Sequence, residues 1–303
     1  MFQLLWHLCY NLAHIKKFMK KVGYIGQGWV GRHSADAIEK NGTPVIRYSL
    51  EPEYIGNKDK IKDCAVVFIV VTARTTPEGF EEKNIREAIE LTAPETLIAI
   101  RSTLPPGTTK IFQTDYPDRC FVFYPEFLTM SSAKEDAEKP KRNIIGLSDQ
   151  ATEKDATTIL SIIPKADYVK ITTAINAELS KYITNCYWNF RNMYMNMQYD
   201  LAQVLGGDWE DLREIFINDD RLSWEHTQPV HNGGRGAGNS CLIKDFAIFS
   251  HEYKDKVGDK DGSLILDAMT RKNINYLHST GKDIHFLEEV YGPNYAQIFE
   301  LDK

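Results

Sequence analysis

The sequence predicts an α/β chain: a doubly wound parallel sheet, then an all-helical part built on one long spine helix. Three observations predict it. Short apolar runs alternate with helical segments from residue 20 to about residue 150, the pattern of a sheet covered by helices on both faces. The turn after the first run reads Gly26-Gln27-Gly28-Trp29-Val30-Gly31. Residues 173–205 contain neither Pro nor Gly, and they are bounded as a helix is bounded.

The elements follow in order. Residues 21–25 are a short apolar strand, and 32–41 a helix stopped by Gly42. A second strand is expected over 44–49. Residues 65–71 (AVVFIVV) are continuously apolar and rich in β-branched side chains, which suits a strand buried on both faces. A helix over 84–91, strands over 96–100 and 120–124 and an edge strand over 143–147 complete the first domain. After Asp149 the text reads as helical. Thr172 or Thr173 caps the long helix and Gly206-Gly207 stops it. A helix over 208–218, a glycine-rich loop over 232–240 and helices to about Thr280 follow, with a short polar tail beyond. The expected divisions are an extension over 1–18, a dinucleotide-binding domain over 19–150 and a helical domain over 151–303.

Composition removes several classes of function. The 303 residues carry a formal net charge of −6, against the basic face that nucleic acid requires. No run of about 18 apolar residues marks a membrane span. Five cysteines, Cys9, Cys64, Cys120, Cys186 and Cys241, are scattered and never in CxxC spacing. That disfavours a disulfide framework or a zinc site and points to a reducing, cytoplasmic setting. Residues 1–10 are apolar and four lysines follow within 11–21, the reverse of a secretory signal. The segment reads as a weak amphipathic lead or as an upstream start ahead of Met19.

Several motifs carry chemistry. In G-x-G-x-x-G between a strand and a helix, Gly26 permits the tight turn, Gly28 lets the backbone approach a pyrophosphate, and Gly31 allows close packing. This is a Rossmann fingerprint. Ser49, beside Arg47, stands at the end of the second strand, where a ribose-binding carboxylate is expected. NAD is favoured and NADP stays open, with Glu51 as an alternative partner. Ser102-Thr103-Leu104-Pro105-Pro106-Gly107-Thr108-Thr109 follows a strand, and its hydroxyls face cofactor or water. Glu126, in Tyr124-Pro125-Glu126-Phe127-Leu128, ends the next strand and is a candidate base. On the long helix Lys181, Asn185, Asn189, Asn192 and Asn196 form a polar stripe among aromatic residues and methionines. Such a stripe is hydrogen-bonded or faces a cavity. Gly233, Gly234, Gly236 and Gly238 precede Cys241. A helix N-terminus there, with Lys244 nearby, favours the thiolate.

Taken in order over residues 20–280, these pieces resemble the UDP-glucose/GDP-mannose dehydrogenase family. The resemblance implies oxidation of a nucleotide-sugar primary alcohol to a carboxylate by two hydride transfers to NAD. It makes Cys241 the nucleophile that traps the aldehyde, and Lys181 the cation at the oxyanion. Asn185 and Asp245 are their companions, Glu126 the acid and base of hydrolysis, and Thr103 the residue placing a water. Cofactor contacts fall on residues 26–31, Ser49, Thr72, Ser102, Thr103 and Lys244. Substrate contacts fall on Phe127, Leu128, Lys181, Asn185, Gly236 and Gly238, with Arg221 reaching the sugar from a neighbouring subunit.

A homodimer is expected on the long helix through Trp188, Phe190, Met193, Tyr194 and Met197. The sequence departs from the family at Thr129-Met130-Ser131, Ala237 and Asn239, and between Ser49 and Ala65, where a helix–strand unit is expected to be missing. It stops where the family's third domain begins, so a compact member with weak affinity for UDP is expected. The alternatives are a two-electron β-hydroxyacid dehydrogenase and an inactive cofactor-binding module.

Overall fold

The structure is a computed structural model describing residues 21–129 and 131–301; the expectation for residues 1–18 lies outside them. The chain divides into two compact units. The first contains the chain up to Ala73 and Glu82–Glu178, the second Arg74–Glu81 and the chain from Leu179 onward.

The first unit opens with β1 (Val22–Ile25), α1 (Trp29–Lys40), β2 (Val45–Tyr48) and β3 (Val66–Ile69). A 3-10 helix, Ile55–Asp63, fills the interval in which a helix–strand unit was expected to be missing. The hairpin of β4 (Arg74–Thr76) and β5 (Gly79–Glu81) belongs to the second unit. The first unit resumes with α2 (Lys83–Glu90), β6 (Leu97–Ile100), α3 (Thr108–Asp115), β7 (Cys120–Phe123), α4 (Ala133–Glu138), β8 (Arg142–Leu147), α5 (Glu153–Ile162) and β9 (Tyr168–Thr173).

Seven strands form one sheet in the order β2-β1-β3-β6-β7-β8-β9. All neighbours are parallel except β7 and β8. Every residue of β1, β3 and β6 is buried, because helices cover both faces of a parallel sheet. Tyr24, Phe68, Ala99 and Val122 lie side by side across the strands and join one apolar cluster with Ala35 and Ile38 of α1. Strand order reverses between β1 and β3. Ligands of such sheets bind outside the carboxyl ends at that reversal, where the glycine turn lies.

Two expectations are corrected here. Residues 143–147 are not an edge: β8 lies between β7 and β9. The text after Asp149 is not wholly helical, because β9 pairs with β8 over Arg142–Leu147. None of its six residues is buried and Lys170 interrupts the apolar pattern, so the periodicity of a half-buried strand was absent.

The second unit carries most of α6 (Ala174–Leu205), which starts in the first. Thr173 Oγ1 accepts the Asn176 N–H at 3.4 Å, as the expected cap should. Then come α7 (Trp209–Ile217), α8 (Asn239–Lys256), α9 (Lys260–Ser279), α10 (Ile284–Tyr291) and α11 (Tyr295–Ile298). The tail is therefore folded rather than merely polar. Leu287, Val290 and Tyr295 are buried in one cluster with Ile243, Ile274 and Leu277, and a single apolar face suffices for that burial.

Candidate active site

In the first unit the glycine turn has the shape its spacing predicts. Gly26 has φ +95°, and a Cβ there would lie 1.8 Å from the Val70 carbonyl oxygen. A Cβ on Gly31 would lie 2.0 Å from the Gly26 oxygen. Gly28 caps α1 without a side-chain hydrogen bond, and a Cβ there would meet nothing within 4 Å. The turn thus combines tight packing at its ends with open space and a bare helix N-terminus at its centre. Those features fit the pyrophosphate of a dinucleotide.

The other residues expected at the cofactor are more constrained. The Gln27 side chain is buried and donates to the Gly26 oxygen at 3.0 Å, so only its backbone is left for a ligand. Trp29 is exposed and Val30 half-buried. Arg47 bridges Asp36 at 2.6 Å and Glu39 at 2.5 Å, while Arg32 holds Glu51. Ser49 Oγ accepts the Glu51 N–H at 3.2 Å. The Thr72 oxygen accepts Asn84 Nδ2. Ser102 Oγ donates to the Val71 oxygen at 2.7 Å and accepts the Val71 N–H at 3.0 Å. Its hydroxyl therefore joins two strand ends. Thr103 is half-buried.

Glu126 is half-buried and accepts the Leu128 N–H. Phe127 lies under Arg142, whose guanidinium carbon is 3.7 Å from the ring centroid. Sequence reasoning missed Glu178. Fully buried, it accepts the Gly107 N–H at 2.5 Å, the Thr109 N–H at 2.8 Å and the Thr109 hydroxyl at 2.6 Å. Burial pushes its pKa above the ordinary carboxylate value, against these three hydrogen bonds. It anchors the Ser/Thr/Pro loop, and its only signal was a lone acid just past the first turn of α6.

The second unit holds the thiol and its companions. The polar stripe of α6 is buried throughout: Lys181, Asn185, Asn189, Asn192 and Asn196 are all at most 9% exposed. Asn185 Nδ2 donates to Asp245 Oδ2 at 2.5 Å, and Asn189 Nδ2 to the Leu242 oxygen at 3.2 Å. Lys244 Nζ pairs with Asp245 Oδ1 at 2.5 Å. Asp245 is fully buried; a carboxylate tolerates that only when paired and hydrogen-bonded. The stripe thus ties α6 to α8 through Asn185 and Asn189, and Lys244 is paired with Asp245.

Cys241 is the third residue of α8 and is exposed. The contrast with the other described cysteines is sharp. Cys64 and Cys186 are buried and Cys120 half-buried; burial raises the thiols of Cys64 and Cys120 to about 11 and that of Cys186 further. Gly236 and Gly238 lie in the loop before Cys241, close against Asn273 and Asp283. Those two residues went unnoticed in the sequence because their partner is some 40 positions away. Arg221 is on an exposed loop, its guanidinium on Asp219 at 2.8 Å and 2.5 Å.

The sheet and its turn define a Rossmann-type fold. Residues 175–273 match the UDP-glucose/GDP-mannose dehydrogenase family, central domain, and the resemblance drawn from the sequence is borne out. The UDP-glucose 6-dehydrogenase of Rickettsia conorii is 30% identical over 194 residues, covering 60% of this chain and 44% of that protein. The chain therefore spans less than half of that relative. A UDP-glucose dehydrogenase from Pyrobaculum islandicum superposes with a TM-score of 0.72 at 23% identity, over 84% of this chain and 68% of that one. A 3-hydroxyisobutyrate dehydrogenase from Mycobacterium tuberculosis gives 0.67 at 15% identity, over 90% and 99%. At these identities the two structures speak for the fold. No described helix is long and apolar enough to cross a membrane.

Proposed function

We propose that the chain is an NAD-dependent nucleotide-sugar dehydrogenase that takes a primary alcohol to the carboxylate in two oxidations through Cys241. The observation that carries this reading is the buried Asn185–Asp245–Lys244 network under the helix that presents an exposed thiol. NAD, when bound, would accept the hydride of each oxidation, one molecule for the first and a second for the next. Cys241 adds its sulfur to the aldehyde carbon and the carbonyl oxygen takes a proton, giving a hemithioacetal. Loss of hydride leaves a thioester; water then breaks the C–S bond and restores the thiol. Lys181 carries the charge that steadies the oxyanion, and Asn185 and Asp245 fix the surroundings of that charge. Glu126 and Thr103 keep the roles of acid/base and water placement, and Phe127, Leu128, Gly236, Gly238 and Arg221 those of substrate contacts. Asp36 and Glu39 around Arg47 disfavour a 2′-phosphate and support NAD over NADP.

The proposal includes a homodimer on α6. The face expected for it is corrected: Met193 is buried, Trp188 stacks on His226 and Phe190 packs on Phe246. Tyr194 and Met197 are exposed as expected, and Leu179, Ile183, Tyr187 and Leu201 join them on the exposed stripe. The second reading is a two-electron hydroxyacid dehydrogenase, favoured by the near-complete span of the 3-hydroxyisobutyrate enzyme's fold. Cys241→Ser separates them. Dinucleotide binding persists and the second oxidation is lost; full conversion to the acid at the parent rate would remove the covalent role.

A further inference from the structure

The loop that delivers Cys241 is held from one side. Asn273 Oδ1 accepts the Ala237 N–H at 2.7 Å, and its Nδ2 donates to the Ala237 oxygen at 3.1 Å. Thr280 Oγ1 accepts the Arg235 N–H at 3.0 Å, and the buried Lys282 Nζ donates to the Gly236 oxygen at 3.0 Å. Asp283 Oδ2 accepts the Asn239 N–H at 2.8 Å. Asn239 is the first residue of α8, and the preceding Gly238 has no side chain with which to cap it. A Cβ on Gly238 would lie 2.1 Å from that same Asp283 oxygen. Asn239 and Asp283 both have positive φ, +68° and +54°. The packing around them therefore maintains two costly backbone conformations to make this one contact.

We propose that Asp283 is a positioning residue for Cys241: it caps the helix from outside, and its negative charge opposes ionisation of the thiol. The inference rests on the reading of Cys241 as the attacking thiol. Cys241 is two residues beyond Asn239, about 3 Å further along the axis at 1.5 Å per residue. A bare helix N-terminus favours an anion there. Here a carboxylate already occupies that end, so the thiolate gains less than the helix alone would give it.

Charged groups come from α8 and from the elements that hold it and its loop. Lys244 and Asp245 are on its own helix and pair with each other. Lys181 is on α6. In the loop, Arg235 is held by Asp200 at 2.7 Å, and Lys282 and Asp283 are on the turn after α9. Asp283 is the one whose carboxylate touches the helix end. The exposed thiol is thereby kept from indiscriminate reaction until an aldehyde is beside it.

The test is alkylation of the full chain by iodoacetamide, followed on the Cys241 peptide across pH. Asp283→Asn keeps a capping oxygen and removes the charge, whereas Asp283→Ser removes both. Both are expected to move the midpoint to lower pH and to speed alkylation at pH 7 about two- to five-fold. Salt at about 1 M should collapse the difference, which a rearranged loop would not do. Profiles coinciding with the parent in both variants, or a difference indifferent to salt, overturn the proposal. If the shift occurs but no sugar is oxidised, the catalytic reading of Cys241 fails, and only the effect of Asp283 on the thiol is retained.

Discussion

Gly28 and Gly31 sit three residues apart in one turn and answer to different demands. A Cβ on Gly31 meets backbone, which cannot yield, whereas Gly28 faces open space. Gly31→Ala is expected to cost about 3 kcal/mol of stability through overpacking. Gly28→Ala should cost less, about 0.5–1 kcal/mol as between Gly and Ala at an N-cap, yet weaken dinucleotide binding about ten-fold or more, because the methyl group occupies the path of the pyrophosphate. Thermal denaturation and fluorescence titration with NADH measure the two effects. Equal destabilisation by both variants would contradict the assignment.

Glu178 gives a pH signature. Its folded pKa is raised above the unfolded value. Its contribution to stability is thus fully present below the unfolded value and is lost as pH rises through the folded one. Gln at this position cannot accept the Gly107 N–H with its amide nitrogen, a loss of about 1–2 kcal/mol. In urea melts the gap between the parent and Glu178→Gln should be widest near pH 4.5 and narrow toward pH 7. A constant gap would show that the carboxyl does not change protonation in this range.

At the scale of the element, α6 is an inverted amphipathic helix. Its polar stripe is buried against α8 and its apolar stripe is exposed, with Ile183 70% and Leu201 53% exposed. The proposed homodimer uses this stripe, since contiguous exposed apolar surface favours association. Ile183→Glu with Leu201→Glu is expected to convert a dimer to monomer in sedimentation equilibrium at micromolar concentration. A parent chain that is already monomeric would remove the dimer from the proposal.

Much of this was legible in the sequence. The runs of β1, β3, β6 and β7 are apolar because both sheet faces are covered, and the lysine–asparagine stripe kept its helical spacing. The rest was hidden for physical reasons. β9 is an exposed strand without a clear period, and the antiparallel turn of β8 depends on pairing rather than composition. Trp188, Phe190 and Met193 read as a dimer face because hydrophobicity does not say which side of a helix the rest of its own unit will cover. Glu178 and Asp283 work through partners about 70 and 44 residues away, and no local pattern carries that information.

At the scale of the molecule, each unit contains one half of the chemistry proposed. The first provides a turn shaped for a dinucleotide and the second a thiol on a helix end with a buried, paired carboxylate behind it. Hydride transfer alone has no use for the second half. A thiol matters when an aldehyde must be retained and oxidised again, since covalent capture divides a four-electron oxidation into feasible steps. The number of hydrides removed from each sugar therefore tests the central claim most directly. With NAD and UDP-glucose or UDP-N-acetylmannosamine, the account predicts two reduced nicotinamides for every sugar consumed, with the uronate as product. One per sugar, with an aldehyde or ketone accumulating, would contradict it.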